Sequence, residues 1–571
     1  MNAKPRFAWL IAGATILSTI LAACGGPATP IASTSATSTV APSNTEAIPA
    51  AEPVAAAGER LLRISGTNVP PPDPSLASAF VDYQGLVNMY DSLVIPNAAG
   101  GVDPLLATSW EISDDGLTYT FVLRQDVKFH NGDDLTASDV VYTLNRMLAM
   151  GGGFAYLFEG QVADVSAPGD YTVVVTTNQP SGLFIYSFSR LYVLNEAELT
   201  ANTVTPGDYG EFGDYGRQYL TTADAGSGPY KVKELRPQES LTLEKNADWF
   251  GTFRPNAPDQ VIFIPTTEPA TQRTLMANRE LEINDQWQSI ESYRALDELE
   301  GVDIAALPSG SGLYLMMHTR KPPTDDVHFR RALSYAFDYT AAVGLDWPGT
   351  KQLQGPVPSN LPGFNPDIVP FSRDLDRARE ELALSKYADQ LDEIVVTIES
   401  ASDAHDERFS LLFQANMAEI GIQVEVLRPP WLTMFEHLIS QEAGPNLALI
   451  YVQPDFPDAG ALLYQKYHSK STGTWSQSEW LLDDAFDAQL DKALSTSDAE
   501  QRYAQERELQ TYIMDLAPTI FVSEQVTKHA YQSGYVNWPA ANGEVIPVIG
   551  YEMYAPLIEV YPEKRAALMG N

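Results

Sequence analysis

The chain reads Leu106-Ala107-Thr108-Ser109-Trp110, then Asp115-Gly116-Leu117-Thr118-Tyr119-Thr120-Phe121-Val122-Leu123-Arg124. It continues Val127-Lys128-Phe129-His130-Asn131-Gly132 and Leu135-Thr136-Ala137-Ser138-Asp139-Val140-Val141-Tyr142. Asp114-Asp115-Gly116 is a turn signal, because Asp bonds nearby amides and Gly admits left-handed backbone. Thr118 to Leu123 suits a strand. Asn131-Gly132 is a second turn. Thr136 and Ser138 are placed to cap a helix with Val140, Val141, Leu144, Met147 and Leu148 on one face. The stretch therefore predicts a strand, a turn and a capped helix in close order.

Outward from this stretch the pattern is mixed α/β. Strands are expected at Leu61–Ile64 and Asp170–Thr177. In the second half, strands and helices alternate. Glu393–Glu399 reads as a strand and Ser400–Asp403 as a polar turn. Phe409–Ile420 reads as a helix, Ile422–Leu427 as a strand and Thr433–Ser440 as a helix. Leu447–Val452 is an apolar strand. Helices follow from about Asp483 to Leu494 and from Ala499 to Leu516, and Thr519–Ser523 is a late strand. The alternation predicts helices on a mostly parallel sheet. In such sheets ligands sit at the carboxyl ends of strands, often between domains. No repeat of fixed period occurs.

At 571 residues the chain exceeds one core, which rarely grows past about 250–300 residues, so two or three domains are expected. Lys4 and Arg6 precede an apolar run from Phe7 to Ala23, the layout of a secretory signal over residues 1–23. Leu21-Ala22-Ala23-Cys24 resembles the bacterial lipobox. That resemblance implies cleavage before Cys24 and a diacylglycerol on its sulfur. An ordinary signal peptide with a chance cysteine is the alternative. Residues 24–58 are rich in Ala, Ser, Thr and Pro and read as a flexible tether. Cys24 is the one cysteine, which excludes intrachain disulfides and multi-thiolate metal sites. The net charge of −38 argues against nucleic-acid binding, which needs clustered Lys and Arg. Such acidity favours cationic solutes or reflects solubility in an unusual medium.

The long string from Leu106 to Tyr142 resembles the signature of the bacterial extracellular solute-binding protein family 5, the oligopeptide- and dipeptide-binding proteins of ABC importers. Gly226-Ser227-Gly228-Pro229-Tyr230 resembles the family's glycine-rich turn before a strand ending near Leu243-Glu244-Lys245-Asn246. Phe329 to Asp338 and Arg377 to Leu384 resemble two of its helices, and Ala517-Pro518-Thr519-Ile520 its late strand. At Asn278-Arg279-Glu280-Leu281-Glu282, where a glycine and an aspartate are more usual, a local loop variation is expected. The resemblance implies a type II, two-lobed periplasmic-binding-protein fold with three domains. Domain I would be discontinuous (59–89, 194–302 and 526–571), domain II would span 90–193, and domain III, the second lobe, 303–525. It implies a small solute enclosed by hinge closure and delivered to ABC permease subunits by a monomer held at the outer face of the membrane, or in a periplasm.

The family resemblance also suggests contacts. Asp455-Phe456-Pro457-Asp458 resembles an Asp-aromatic-x-Asp element whose first aspartate pairs with a peptide's ammonium. That makes Asp455 the candidate, with Tyr451 where a tryptophan is common and Pro454 as an extra residue. Capping of local amides is the alternative for Asp455. Ser402-Asp403-Ala404-His405 matches a segment whose histidine meets the ligand's carboxyl end, so His405 is a candidate, with Arg408 one turn along and a helix N-terminus beside them. Ala448 and Leu449 stand where some peptide binders carry an arginine. Trp431, Phe435, Trp475 and Trp480 are candidate pocket walls, although most large aromatics are core.

Peptide is favoured as ligand, an oligosaccharide next. The seven histidines are scattered, which disfavours nickel, and no cofactor is expected. Two other classes are open: a surface receptor or assembly protein without transport, and an extracellular hydrolase. The chain has no Gly-x-Ser-x-Gly elbow and no His-Glu-x-x-His, and the expectation is no enzyme.

Overall fold

The computed structural model describes residues 58–570 apart from 78–79, 98–99, 402–403, 455, 497, 545–547 and 549. Cys24, the signal segment and most of the tether thus lie outside the described residues.

The chain enters on β1 (Leu61–Gly66) and leaves at once to build a separate antiparallel sheet. That sheet holds β2 (Ala107–Ile112), β3 (Thr118–Leu123), β4 (Val162–Gly169) and β5 (Thr172–Thr177), in the order β2-β3-β5-β4. Strand β3 is the one expected from Thr118 to Leu123. Tyr119, Phe121 and Leu123 alternate into the core, and the turn before it uses Gly116 at φ 71°. Helix α1 (Ala137–Met150) starts where Thr136 donates its N–H to Asp139 Oδ2 at 2.8 Å. It buries Val140, Leu144 and Met147, and ends on Gly151 at φ 64°. Its buried Arg146 pairs with Asp73 at 2.7 Å.

The chain then returns to β1. Strands β6 (Tyr230–Arg236), β7 (Ser240–Lys245) and β8 (Gln260–Pro265) complete a sheet ordered β1-β8-β7-β6, with β1 and β8 parallel. The single strand expected before Asn246 is a hairpin, because Gln238 takes a left-handed φ of 63° and reverses the chain. One apolar core runs through both sheets, from Leu62 and Val261 to Phe121 and Val175.

The two motifs that stood out in the sequence meet here. His130 donates its backbone N–H to Gly226 O at 2.8 Å, and its Nε2 lies 2.9 Å from Gly228 O. Its Nδ1 bonds the buried Asp224 carboxylate. Both ring nitrogens face acceptors, an arrangement that the doubly protonated ring satisfies. Burial opposes that charge; the Asp224 carboxylate outweighs it and lifts the His130 pKa above the ordinary value.

The segment 278–282 is more than a loop variation. Arg279 sits at φ 61°, the conformation for which a glycine is suited, and its Nη1 reaches Gln532 Oε1 at 2.6 Å. Glu282 is fully buried, ion-paired with Arg63 at 2.7 Å and bonded by Tyr535 Oη at 2.8 Å. Glu282 is a buried ionic tie between β1 and the C-terminal segment.

Helix α2 (Ile290–Asp297) leads to β9 (Asp303–Met317), the first strand of the second lobe's sheet. After helix α3 (Val327–Ala336) come β10 (Val395–Glu399), β11 (Gln423–Leu427), β12 (Leu447–Val452) and β13 (Thr519–Tyr531). The order is β11-β10-β12-β9-β13. Strand β10 is parallel to β11 and β12, whereas β9 is antiparallel to β12 and β13. The sheet is therefore mixed, with β9 alone running against the rest. The chain enters this lobe on β9 and leaves it on β13, so those two strands must run oppositely.

Leu313, Leu315 and Met317 face one core, and Tyr314 and Met316 the other. Burial on both faces explains the long apolar strands. Strand β13 runs eight residues past the expected Ser523, because its second half pairs with the first half of β9 and ends in the first lobe's core at Ala530.

Candidate ligand cleft

Strands β10, β11 and β12 run in one direction and end at Glu399, Leu427 and Val452 on the carboxyl side of the sheet; Glu399 stands opposite Leu427 and Ala448, so β12 reaches further, to Val452. From that edge three loops lead to helices α4 (Ala404–Ala418), α5 (Trp431–Leu438) and α6 (Ala459–Tyr467). Parallel strands followed by helix N-termini make this edge the place for a polar ligand.

Two buried carboxylates brace the edge. Tyr451 Oη donates to Asp406 Oδ1 at 3.0 Å, tying the end of β12 to the first turn of α4. His437 Nδ1 lies 2.9 Å and 3.1 Å from the two oxygens of Glu399, tying α5 to the end of β10. Burial pushes the Glu399 carboxyl above its ordinary pKa, and His437 opposes that.

The nearby guanidinium groups have carboxylate neighbours. Arg428 Nη1 is 2.8 Å from Glu407 Oε1. Arg408 is exposed, and its Nη2 lies 3.7 Å from Glu291 Oε1 on α2, which belongs to the first lobe. Arg408 thus pairs with a residue of the first lobe.

On either side of Asp455, described residues of the segment after β12 make several contacts. Gln453 Nε2 donates to Ser309 O in β9 at 3.0 Å. The Phe456 ring lies 6.0 Å from Tyr186, on the first-lobe helix Phe184–Ser187. Asp458 is buried, accepts from Gly460 N–H at 2.8 Å as the cap of α6, and meets Arg502 Nη2 at 3.0 Å. Arg502 belongs to helix α7 (Ala499–Leu516), and its Nε lies 3.4 Å from Glu506 Oε1. Two carboxyl groups so share one guanidinium. Burial, then the Asp458 charge, pushes the Glu506 carboxyl up to about 9. A third inter-lobe contact joins Gly182, whose N–H donates to Leu494 O at 2.6 Å.

Of the predicted residues, Tyr451 bonds Asp406 in the first turn of α4, and Arg408 of the same helix pairs with Glu291. Asp455 lies outside the described residues, as do the side chains of His405 and Trp431. Trp475 packs half-buried against the core that contains Met434 and Tyr467, and Trp480 stacks on His318 with centroids 6.1 Å apart. Sequence reasoning missed Trp287. It is 59% exposed and lies in the coil two residues before Ser289, the cap of helix α2, whose Glu291 meets Arg408. A tryptophan set between Asp285 and a capping serine was the available signal. It also missed Glu399 and His437, which lie 38 residues apart.

A sequence model of the bacterial extracellular solute-binding proteins, family 5 (middle part), matches residues 101–474. The chain is 26% identical to the probable D,D-dipeptide-binding periplasmic protein DdpA of Escherichia coli, over 74% of this chain and 78% of that one. It is 23% identical to heme-binding protein A of Haemophilus influenzae, over 77% and 82% respectively. Its fold matches the periplasmic binding protein DppA of Helicobacter pylori in complex with the peptide STSA. There the TM-score is 0.71 at 23% identity, covering 88% of this chain and 98% of that one.

Proposed function

The chain belongs to the bacterial extracellular solute-binding proteins, family 5; we propose that it captures a short peptide between its lobes outside the cytoplasm and delivers it to the permease of an ABC importer. The observation that carries this reading is the convergence of both lobes on the edge where β10, β11 and β12 end. Phe456 meets Tyr186 there, and Arg408 meets Glu291. The likeness to a D,D-dipeptide-binding relative supports a peptide.

In this reading Asp455 takes the peptide ammonium, because a desolvated ammonium needs an opposed carboxylate. Tyr451 holds the α4 start through Asp406. His405 and Arg408 serve the carboxyl end, and Trp431 borders the side-chain space, with Trp475 bracing it from the core. The three-domain division is 59–89 with 194–302 and 526–571, then 90–193, then 303–525. Cys24 carries the lipid anchor, the protein acts as a monomer, and it binds without chemical turnover. An oligosaccharide is the second reading, favoured by the exposed ring of Trp287.

Mass spectrometry of ligand carried through purification tests the choice, together with thermal-shift screening against peptides and oligosaccharides. The expected result is a bound or stabilising peptide. An oligosaccharide in its place favours the second reading, and turnover of either overturns the binding role.

A further inference from the structure

Strands β9 and β13 pass from one lobe to the other as a pair. Ala305 and Leu307 lie in the first lobe's core, whereas Leu313, Leu315, Ile520 and Val522 lie in the second's. Pairing is interrupted between these halves. Pro308 pairs with Val526 and Gly312 with Glu524, so Ser309, Gly310 and Ser311 stand opposite Gln525 alone. Gly310 sits at φ 71°, which favours glycine. A bulge where a strand pair leaves one core and enters another is the place where bending costs least.

The bulge is not left free. Ser309 Oγ donates to Gln525 O at 3.2 Å, and Ser311 Oγ to Val452 O at 3.2 Å. Ser309 O accepts from Gln453 Nε2 at 3.0 Å. Val452 ends β12 and Gln453 opens the candidate ligand loop. Three residues on, the same loop places Phe456 against Tyr186 of the opposite lobe. One short segment thus holds the bulge at its start and the far lobe near its end.

We infer that Gln453 is a positioning residue that fastens the ligand loop to the hinge bulge, so that loop placement and lobe closure are a single equilibrium. The inference rests on the reading of this edge as the ligand cleft. Opening at the bulge rotates Ser309 O away from β12 and releases Gln453. The loop then loses its anchor as Phe456 loses Tyr186. A ligand that orders the loop restores the bond and so favours closure, since a ligand shifts an equilibrium only by its differential contacts with the two states.

The test uses the full chain with Gln453→Glu, which keeps the shape, removes the donor and sets a carboxylate oxygen against Ser309 O. Lobe distances are read by single-molecule fluorescence, on one engineered cysteine per lobe in a Cys24→Ser background. Hydrogen exchange is followed at 309–312 and 453–458, with and without a library of unmodified di- to tetrapeptides. The expected result is a smaller closed population without ligand, faster exchange in both segments, and peptide affinity weaker by about five- to tenfold. Unchanged lobe distances and exchange would overturn the inference. So would weaker affinity with unchanged closure, which would make Gln453 a simple ligand contact. If the parent protein binds no peptide of the library, the ligand reading fails. The ligand-free distances and exchange still decide the role of Gln453.

Discussion

Two buried ionic clusters in this molecule look alike in composition and behave as opposites. In the first lobe His130 faces Asp224 and Gly228 O, one cation against one carboxylate, with each ring proton used. Beside the lobe contact Asp458 and Glu506 crowd one guanidinium, that of Arg502. The first cluster braces two parts of one lobe, and the buried Asp91 carboxyl, which burial raises to about 7, lies near enough to feel the His130 charge. The second has a carboxyl in excess, and the fold meets it by holding a proton on Glu506. Neutralisation of one carboxyl, not a second cation, balances this cluster.

The largest expected effect breaks the His130 cluster. His130→Ala leaves Asp224 buried without its cation and should cost about 3–5 kcal/mol in denaturant unfolding. The His130 pKa is raised in the fold. Its stabilising contribution is therefore full below the ordinary histidine value and is lost as pH rises through the folded value. The parent protein should show that slope, and the variant should lose the histidine's share of it.

The unbalanced cluster predicts a pH slope of the same sign but a substitution effect of the opposite sign. Glu506 goes from an ordinary value of 4.5 to about 9 in the fold. Its folded form keeps a proton that the unfolded chain has released, so stability falls as pH rises from 4.5 towards 9. Glu506→Gln removes the titration and should stabilise by about 1–3 kcal/mol near pH 7, with little gain near pH 4. Thermal unfolding at several pH values checks this, and a destabilised variant at high pH would refute it.

Smaller effects sharpen the comparison at the ligand edge. Asp455→Ala should weaken peptide binding about tenfold, near 1.4 kcal/mol, by calorimetry; unchanged affinity would retire the ammonium role. The exposed Arg408–Glu291 pair should give a coupling of at most about 0.5–1 kcal/mol in a double-mutant cycle on closure, and it should fade with salt.

Local pattern made much of this fold legible. Strand β12 and helix α7 fall at the expected limits, Leu447–Val452 and Ala499–Leu516. Their two-sided apolar run and their length leave few alternatives. Strand β9 was not legible, because Leu307-Pro308-Ser309-Gly310-Ser311-Gly312 has the composition of a loop. Only pairing with β13 makes it a strand, just as the polar run after Ser523 is a strand only beside β9. The roles of His130 and Glu506 were hidden for a related reason. The partner of His130 lies 94 residues away, and the proton on Glu506 depends on a burial that no spacing reveals. At the ligand edge, the family pattern pointed to Tyr451 and Arg408. It said nothing of Trp287, which stands on the other lobe.

Small-angle scattering from the full chain, titrated with a peptide shown by calorimetry to bind, addresses the two-lobed capture of a solute most directly. The account predicts that the radius of gyration falls as the peptide saturates, and that the decrease follows the binding isotherm. A peptide that binds tightly while the scattering stays unchanged would contradict it.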